Sequence, residues 1–168
     1  SPGEILESSS LSSPTIDSLK MEQFMSTRKD SYEEQKKKNI ITKDHFVIEN
    51  DKMFAGKHLI LDLWNPEFDN SIRTLKNLLK KAVLLSGATM LHIHLHRFGK
   101  NQGISGIAVL AESHISVHTW PERKYIAFDI FMCGDTFPEQ AAEFLIKQLN
   151  PNRKKLQTIK RGEIKIDI

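Results

Sequence analysis

Hydrophobic and polar positions in the second half of this chain follow a period of two, which is typical of strands with one buried face. His58 to Trp64 is an apolar run interrupted by Asp62. Leu91, Ile93 and Leu95 alternate with His92, His94 and His96. Further strands are predicted at roughly 104–111, 114–119 and 125–133, and the alternation of Ile164, Ile166 and Ile168 predicts a last one.

Two other segments have the helical period. The first follows the N-cap candidates Asp69-Asn70-Ser71, and Gly87 suits its C-terminal cap. Its apolar positions recur every three or four residues: Ile72, Leu75, Leu78, Leu79, Ala82 and Val83. The second opens at Pro138 and stops at Asn150-Pro151, with a buried stripe of Ala141, Phe144, Leu145 and Leu149. This pattern predicts an α+β fold, a two-layer sandwich with an antiparallel sheet and helices packed on one face. The other face is then polar or covered by a partner.

The N-terminal region is more polar than the rest. Seven serines and two prolines fall within the first 18 residues, and such composition does not favour packing. We therefore expect residues 1–44 to be a polar, flexible extension, with a short charged helix at 30–39. Residues 45–168 are expected to form a single domain, with ordered structure beginning near His45 or around Met53.

Charge and cysteine content exclude several classes of function. The 24 basic and 21 acidic residues give a net charge of +3, for which Lys36-Lys37-Lys38 alone accounts, so nucleic-acid binding is not inferred. One cysteine cannot form an internal disulfide. No apolar run approaches the roughly 20 residues of a membrane span, and no signal peptide is recognisable. A cytoplasmic protein without a membrane or nucleic-acid partner is expected.

The candidate reactive side chains are concentrated between Glu112 and Glu122, and Cys133 follows eleven residues later. Ser113 beside two imidazoles suggests a hydrolase, but the Gly-x-Ser-x-Gly pattern is absent, and a strand-end hydroxyl bonded to backbone is the alternative. Ser113 and His118 are separated by an odd number of residues, so a straight strand would put them on opposite faces. If they cooperate, the chain must bend, or Ser113 must lie in a turn before the strand. A strained turn suits a peptide bond that is cleaved.

Three further features have ordinary explanations. His92, His94 and His96 share one strand face and two of them could bind a metal with Glu49 or Asp62, but further zinc-type ligands are not evident, so we expect no metal. Cys133 alone would be a small buried hydrophobe. Trp120 alone would be a core aromatic, or a stacking surface for a flat ligand.

Several short motifs in order nevertheless resemble those of bacterial and archaeal S-adenosylmethionine decarboxylase proenzymes. They extend from Gly56-Lys57-His58-Leu59 to Arg161-Gly162. The central ones are Gly103-Ile104-Ser105-Gly106, Glu112-Ser113-His114, His118-Thr119-Trp120-Pro121-Glu122 and Asp129-Ile130-Phe131-Met132-Cys133-Gly134. Each is weak by itself, and their order and spacing make the resemblance specific.

The resemblance implies that the chain cleaves itself. Ser113 would attack the carbonyl of Glu112 and form an ester, and elimination would leave a β chain ending at Glu112. The new α chain would begin with a pyruvoyl group made from Ser113. Ser105 and His118 match the family's processing residues, the hydroxyl polarising the carbonyl and the imidazole taking the proton lost on elimination. A neutral imidazole is a suitable base for this step.

The resemblance also implies how the substrate is bound and decarboxylated. The pyruvoyl carbonyl would form a Schiff base with the amine of S-adenosylmethionine, and Cys133, as a protonated thiol, matches the proton donor. Trp120 and Phe98 would sandwich the adenine, and Glu122 would hold the ribose hydroxyls. In the family these side chains come partly from a second protomer, so a homodimer of processed αβ protomers is implied. The resemblance implies that the product would serve polyamine (spermidine) synthesis.

Three segments depart from the family pattern. Residues 98–103 lack a usual proline and are one residue longer, Trp64-Asn65-Pro66-Glu67 replaces an aromatic-Gly-Cys-Asp-like segment, and Arg123-Lys124 stands where Tyr-Gly is common. Pyruvoyl chemistry is thus better supported than the particular substrate. Two alternatives are a pyruvoyl decarboxylase of arginine or ornithine, and a non-cleaving homologue that binds a partner.

Overall fold

The computed structural model describes residues 45–50 and 52–164. The expected extension 1–44 with its short helix, and the end of the predicted last strand at Ile166 and Ile168, lie outside the described residues. Two short strands, β1 (Val47–Glu49) and β2 (Lys52–Phe54), pair antiparallel with each other. Ile164 makes an isolated bridge to Met53 of this hairpin.

The remaining strands form one six-stranded sheet in the order β4-β5-β6-β7-β3-β8, and every neighbouring pair is antiparallel. In chain order the elements are β3 (Gly56–Trp64), α1 (Ile72–Leu85), β4 (Met90–Arg97), β5 (Ile104–Leu110), β6 (Ser113–Trp120), β7 (Tyr125–Met132), α2 (Pro138–Leu149) and β8 (Arg153–Arg161). A single 3-10 turn, Pro121–Arg123, joins β6 to β7.

Both helices pack against one face of this sheet. Fully buried side chains from alternate strand positions meet the helices' apolar stripes, for example Leu61 of β3, Val117 of β6 and Phe128 of β7 against Leu79 and Leu145. The opposite face carries no helix among the described residues, and we call it the open face; it presents His58, Asp129, Ser116, Ile107 and His94 on its five adjoining strands. The predicted α+β sandwich with helices on one face is confirmed.

The helix ends also form as the sequence predicts. Ser71 is the N-cap of α1, where its hydroxyl accepts a hydrogen bond from the Thr74 N–H at 3.4 Å. Gly87 takes the left-handed φ of 72° that a residue after a helix often adopts, and Asn150 does the same after α2 with a φ of 38°. Local sequence signals therefore predict where both helices end to within a few residues.

Two parts of the fold are not indicated by the hydrophobic pattern. Strand β8 is exposed at nearly every position, so neither of its faces shows an apolar period. Leu91, expected on the buried face of β4, is 64% exposed because the register with β5 shifts between Met90 and His92. A β-bulge of this kind moves one residue out of the alternation.

Among the described residues, no helix has the length and apolar character to cross a membrane.

Candidate active site

Ser113 lies where β6 leaves the tight turn made by Ala111 and Glu112. Its φ is 137°, whereas the other described non-glycine residues with positive φ lie between 38° and 53°. A serine in this region of backbone space is strained by about 1–3 kcal/mol, and such strain persists only where neighbours impose it. The sequence allows a strained turn before the strand, whereas in the structure the strained residue is Ser113 itself, the first residue of β6.

Three hydrogen bonds hold this turn. The Ala111 N–H donates to the Thr89 carbonyl at 3.0 Å, and the Thr89 N–H donates to Oε2 of Glu112 at 2.8 Å. The third partner is Cys133, whose backbone N–H donates to the carbonyl oxygen of Glu112 at 3.0 Å. The carbonyl preceding Ser113 is thus both fixed in direction and polarised by a backbone donor.

The unusual φ of Ser113 also decides where its side chain points. Substituents on a tetrahedral Cα are offset by about 120°, so a φ of 137° rotates Cβ to within about 20° of eclipsing the Glu112 carbonyl carbon. An ordinary strand residue has its Cβ turned well away from the preceding carbonyl. Ser113 therefore has the backbone torsion that a five-membered ring through Oγ, Cβ, Cα, N and the Glu112 carbonyl carbon requires.

Cys133 follows β7 directly and is partly buried. Its carbonyl accepts a hydrogen bond from the Thr136 hydroxyl at 3.0 Å, and the next residue, Gly134, donates its N–H to the His45 carbonyl at 2.8 Å. Burial raises the pKa of the Cys133 thiol, and the negative charge of Glu112 raises it further. The thiol is thus held in its protonated form at neutral pH, which suits a proton donor and not a nucleophile.

The imidazole of His114 lies beside Ser113. Its Nδ1 is 3.0 Å from the Ser113 Oγ, because the unusual backbone at Ser113 brings two consecutive side chains together. Beyond it on the open face, Nε2 of His58 is 3.2 Å from one carboxylate oxygen of Asp129, and the Ser116 hydroxyl donates to the other at 3.2 Å. No sequence pattern predicts a role for His114, His58 or Asp129, apart from the position of His114 next to Ser113.

Ser105 and His118 form a separate pair. The Ser105 Oγ is 2.8 Å from Nδ1 of His118, and the two residues are register partners on β5 and β6. His118 is five residues along β6 from Ser113, which corresponds to about 17 Å in an extended strand. Within one chain the structure therefore brings Ser113 together with Glu112 and Cys133, but not with Ser105 and His118.

The predicted substrate-binding residues all lie at the His118 end of the sheet. Phe98, Trp120 and Glu122 line a cleft of about 680 Å³ that also includes Ser105 and His118. Phe98 and Trp120 are 62% and 40% exposed, which leaves much of each ring available to a ligand. The structure thus gathers the three residues, although they come from a loop, a strand end and the 3-10 turn.

Neighbouring rings fix the orientation of Trp120. Its ring centroid is 5.2 Å from that of Tyr125 and 6.1 Å from that of His118, and Tyr125 is 5.5 Å from Trp64. The Tyr125 hydroxyl donates to Asp62, and burial together with this carboxylate raises the pKa of Tyr125 to about 12. Tyr125 is therefore a neutral phenol that positions Trp120.

His92, His94 and His96 are all exposed on the open face of β4, as their spacing predicts. Within residues 45–50 and 52–164, no three His, Cys, Asp or Glu side chains are placed so that they could hold one metal ion. We expect the purified protein to contain no stoichiometric transition metal and a chelator to leave chain cleavage unaffected, which elemental analysis and mass spectrometry measure. One tightly bound zinc per chain that is lost in His92→Ala/His94→Ala would contradict this.

Comparison with known proteins decides the family. Residues 57–162 match the family model described as S-adenosylmethionine decarboxylase. The chain belongs to the S-adenosylmethionine decarboxylase family. S-adenosylmethionine decarboxylase proenzyme of Methanococcus maripaludis strain C5 is 43% identical over 121 residues, which are 67% of this chain and 93% of the relative. The proenzyme of Prochlorococcus marinus strain MIT 9313 is 44% identical over 110 residues, covering 64% and 87%.

A solved structure agrees with the sequence comparison. The crystal structure of adenosylmethionine decarboxylase from Aquifex aeolicus VF5 superposes with a TM-score of 0.62 at 32% identity, over 68% of this chain and 97% of that one. S-adenosylmethionine decarboxylases are pyruvoyl-dependent carboxy-lyases, so the expected family and enzyme class are confirmed. Neither an amino-acid decarboxylase nor a non-cleaving partner protein is favoured by these relatives.

Proposed function

We propose that this chain is a proenzyme that cuts itself between Glu112 and Ser113, acquires a pyruvoyl group from Ser113 and decarboxylates S-adenosylmethionine for polyamine synthesis. The observation that carries the proposal is the conformation of Ser113. Its φ of 137° turns Cβ toward the carbonyl carbon of Glu112, and the Cys133 N–H holds the oxygen of that carbonyl. Both features favour attack by the Ser113 hydroxyl on the preceding peptide bond.

The residues present fit the formation of a pyruvoyl group. Ser113 opens strand β6, so cutting before it leaves the new terminus fixed by the β5 and β7 ladders. When formed, the group supplies an electron-withdrawing carbonyl of the kind that amino-acid decarboxylation needs. Cys133 keeps its proton because burial raises the pKa of the thiol, so it can deliver that proton to the substrate carbon after carbon dioxide leaves.

The separation of Ser113 from His118 supports a homodimer. If both residues act in one site, about 17 Å of strand β6 prevents them from coming from the same copy. Two open faces packed with antiparallel β6 strands would place the Ser113 end of one copy against the His118 and Trp120 end of the other. Ile107 and Val109, each 37% exposed on the open face, would be covered in that arrangement.

Complementation between two defective chains tests this arrangement. We expect Ser113→Ala and His118→Ala chains to remain uncut when each is produced alone. Produced together, mixed dimers contain one site with an intact Ser113 from one copy and an intact His118 from the other, so the His118→Ala chain should be cleaved. Mass spectrometry measures the fragments. Restoration of cleavage supports the shared site, and its absence in verified mixed dimers contradicts it.

Trp120 tests the substrate. Losing a stacking surface costs about 1–3 kcal/mol of binding to a base, so Trp120→Ala should raise KM for S-adenosylmethionine by about 5- to 150-fold. Trp120→Phe, which keeps an aromatic face, is the matched control and should lose less. Carbon dioxide release from S-adenosylmethionine, arginine and ornithine is the measurement. Turnover of either amino acid with none from S-adenosylmethionine would refute the proposed substrate while leaving self-cleavage intact.

A further inference from the structure

His114 is the imidazole that contacts Ser113 within the same chain. Its Nδ1 lies 3.0 Å from the Ser113 Oγ, whereas His118 is at the other end of β6. We propose that His114 is the general base for the first step of self-cleavage, accepting the Ser113 hydroxyl proton on Nδ1. The inference rests on the proposed function, because it concerns the cleavage of the bond between Glu112 and Ser113.

The surroundings of His114 keep its ring neutral. It stands between Val109 of β5 and Phe131 of β7, and its ring meets that of Phe131 edge-on with centroids 6.0 Å apart. Burial lowers the pKa of His114, and the nearby His58 lowers it further, against an opposing effect of Asp129. A neutral imidazole has a free lone pair at neutral pH, which a base requires.

The charged side chains around His114 form contacts with other residues. The Asp129 carboxylate contacts His58 on β3 and Ser116 on β6, each at 3.2 Å. Arg161 of β8 places Nη1 3.3 Å from Nδ1 of His58. Val109, the β5 neighbour, carries no charge. Asp129 is thus occupied by other partners, and the Nδ1 of His114 faces the Ser113 hydroxyl.

The step balances without any further reagent. A bond forms between the Ser113 Oγ and the Glu112 carbonyl carbon as the hydroxyl proton moves to Nδ1 of His114. Negative charge develops on the carbonyl oxygen, which already accepts the Cys133 N–H at 3.0 Å. His114 then returns the proton to the Ser113 nitrogen while the carbon–nitrogen bond breaks. The products are an ester and an amine, with the imidazole neutral again.

The test separates this step from the later elimination. Chains are made by cell-free synthesis, and cleavage is followed by mass with time. His114→Ala should slow cleavage by about 10²-fold or more, the usual contribution of a general base, and added imidazole should restore part of the rate. His114→Asn retains a polar group near the hydroxyl but cannot take the proton, so it should be equally slow. Gln148→Ala removes an exposed polar side chain from α2, on the opposite side of the sheet from His114, and should cleave at the wild-type rate.

Hydroxylamine, which splits esters, gives the second readout. His118→Ala should accumulate the ester and be split by hydroxylamine, whereas His114→Ala and His114→Asn should remain whole because the ester is not formed. Wild-type cleavage rates in His114→Asn would overturn the proposal, as would hydroxylamine splitting of the His114 variants at Glu112. A wild-type chain that never cleaves would instead refute the proposed function, so the two failures are distinguishable.

Discussion

Ser113→Ala should remain a single uncut chain, whereas the unaltered sequence should yield fragments of residues 1–112 and 113–168. Alanine keeps the Cβ but has no oxygen to attack the Glu112 carbonyl, so the peptide bond can neither rearrange nor break. The expected effect is complete loss of both cleavage and turnover. Intact mass spectrometry of the purified protein measures it directly, and the 113–168 fragment should lack a free N-terminal amine.

The matched control is Thr158→Ala, which removes a hydroxyl from an exposed position on β8. It should be cleaved as fully as the parent chain. Removing the side chain of Ser113 should also not unfold the domain, because its partners in the β5 and β7 ladders are bound through the backbone. Cleavage between Glu112 and Ala at position 113 would show that the serine is not the attacking group.

Cys133→Ala should be cleaved but should lose turnover by about 10²- to 10⁴-fold, the usual range for a missing general acid. The two functions separate because the residue acts through different atoms. Its backbone N–H binds the Glu112 carbonyl and is unchanged by the substitution, whereas its thiol is the proposed proton donor. Single-turnover kinetics on the fully cleaved variant measure the loss. Normal turnover would remove Cys133 from the catalytic residues.

The pH dependence of turnover provides an independent check on Cys133. Burial raises the pKa of this thiol above its ordinary value, so the acid form persists at neutral pH and is lost only as pH rises through the raised pKa. The descending alkaline limb of kcat should therefore lie above the normal titration range of a free thiol. Cys133→Ser, whose hydroxyl does not titrate in that range, should lack this limb.

Most of the fold can be predicted from the sequence because its signals are local. Ser71 caps α1, Asn150 ends α2, and period-two alternation identifies the strands that have one face in the core. Strand β8 is different, because an edge strand exposed on both faces needs no apolar alternation. It is identified only by its pairing with β3, about 100 residues earlier in the chain, which no local pattern encodes.

The candidate site also combines residues that local motifs indicate with contacts that depend on strand pairing. Motif order indicates Ser113, Cys133, Ser105 and His118 as candidates. Strand parity predicts opposite faces for Ser113 and His118, whereas in the structure they are separated by most of the length of β6. The hydrogen bond from Cys133 to the Glu112 carbonyl and the contact of His58 with Asp129 depend on which strands are neighbours. The first contact follows from the register of the consecutive strands β6 and β7. The second requires β3 to lie beside β7, which is known only once the sheet order is known.

The sheet order has a consequence for the stability of the cut protein. Residues 1–112 supply β1 to β5 with α1, and residues 113–164 supply β6, β7, α2 and β8. In the sheet, β3 from the first fragment lies between β7 and β8 from the second, so strands of the two fragments alternate. Self-cleavage would therefore leave two chains that cannot separate without breaking ladders on both sides of β3. Refolding after denaturation would then become bimolecular, and the apparent stability would depend on protein concentration.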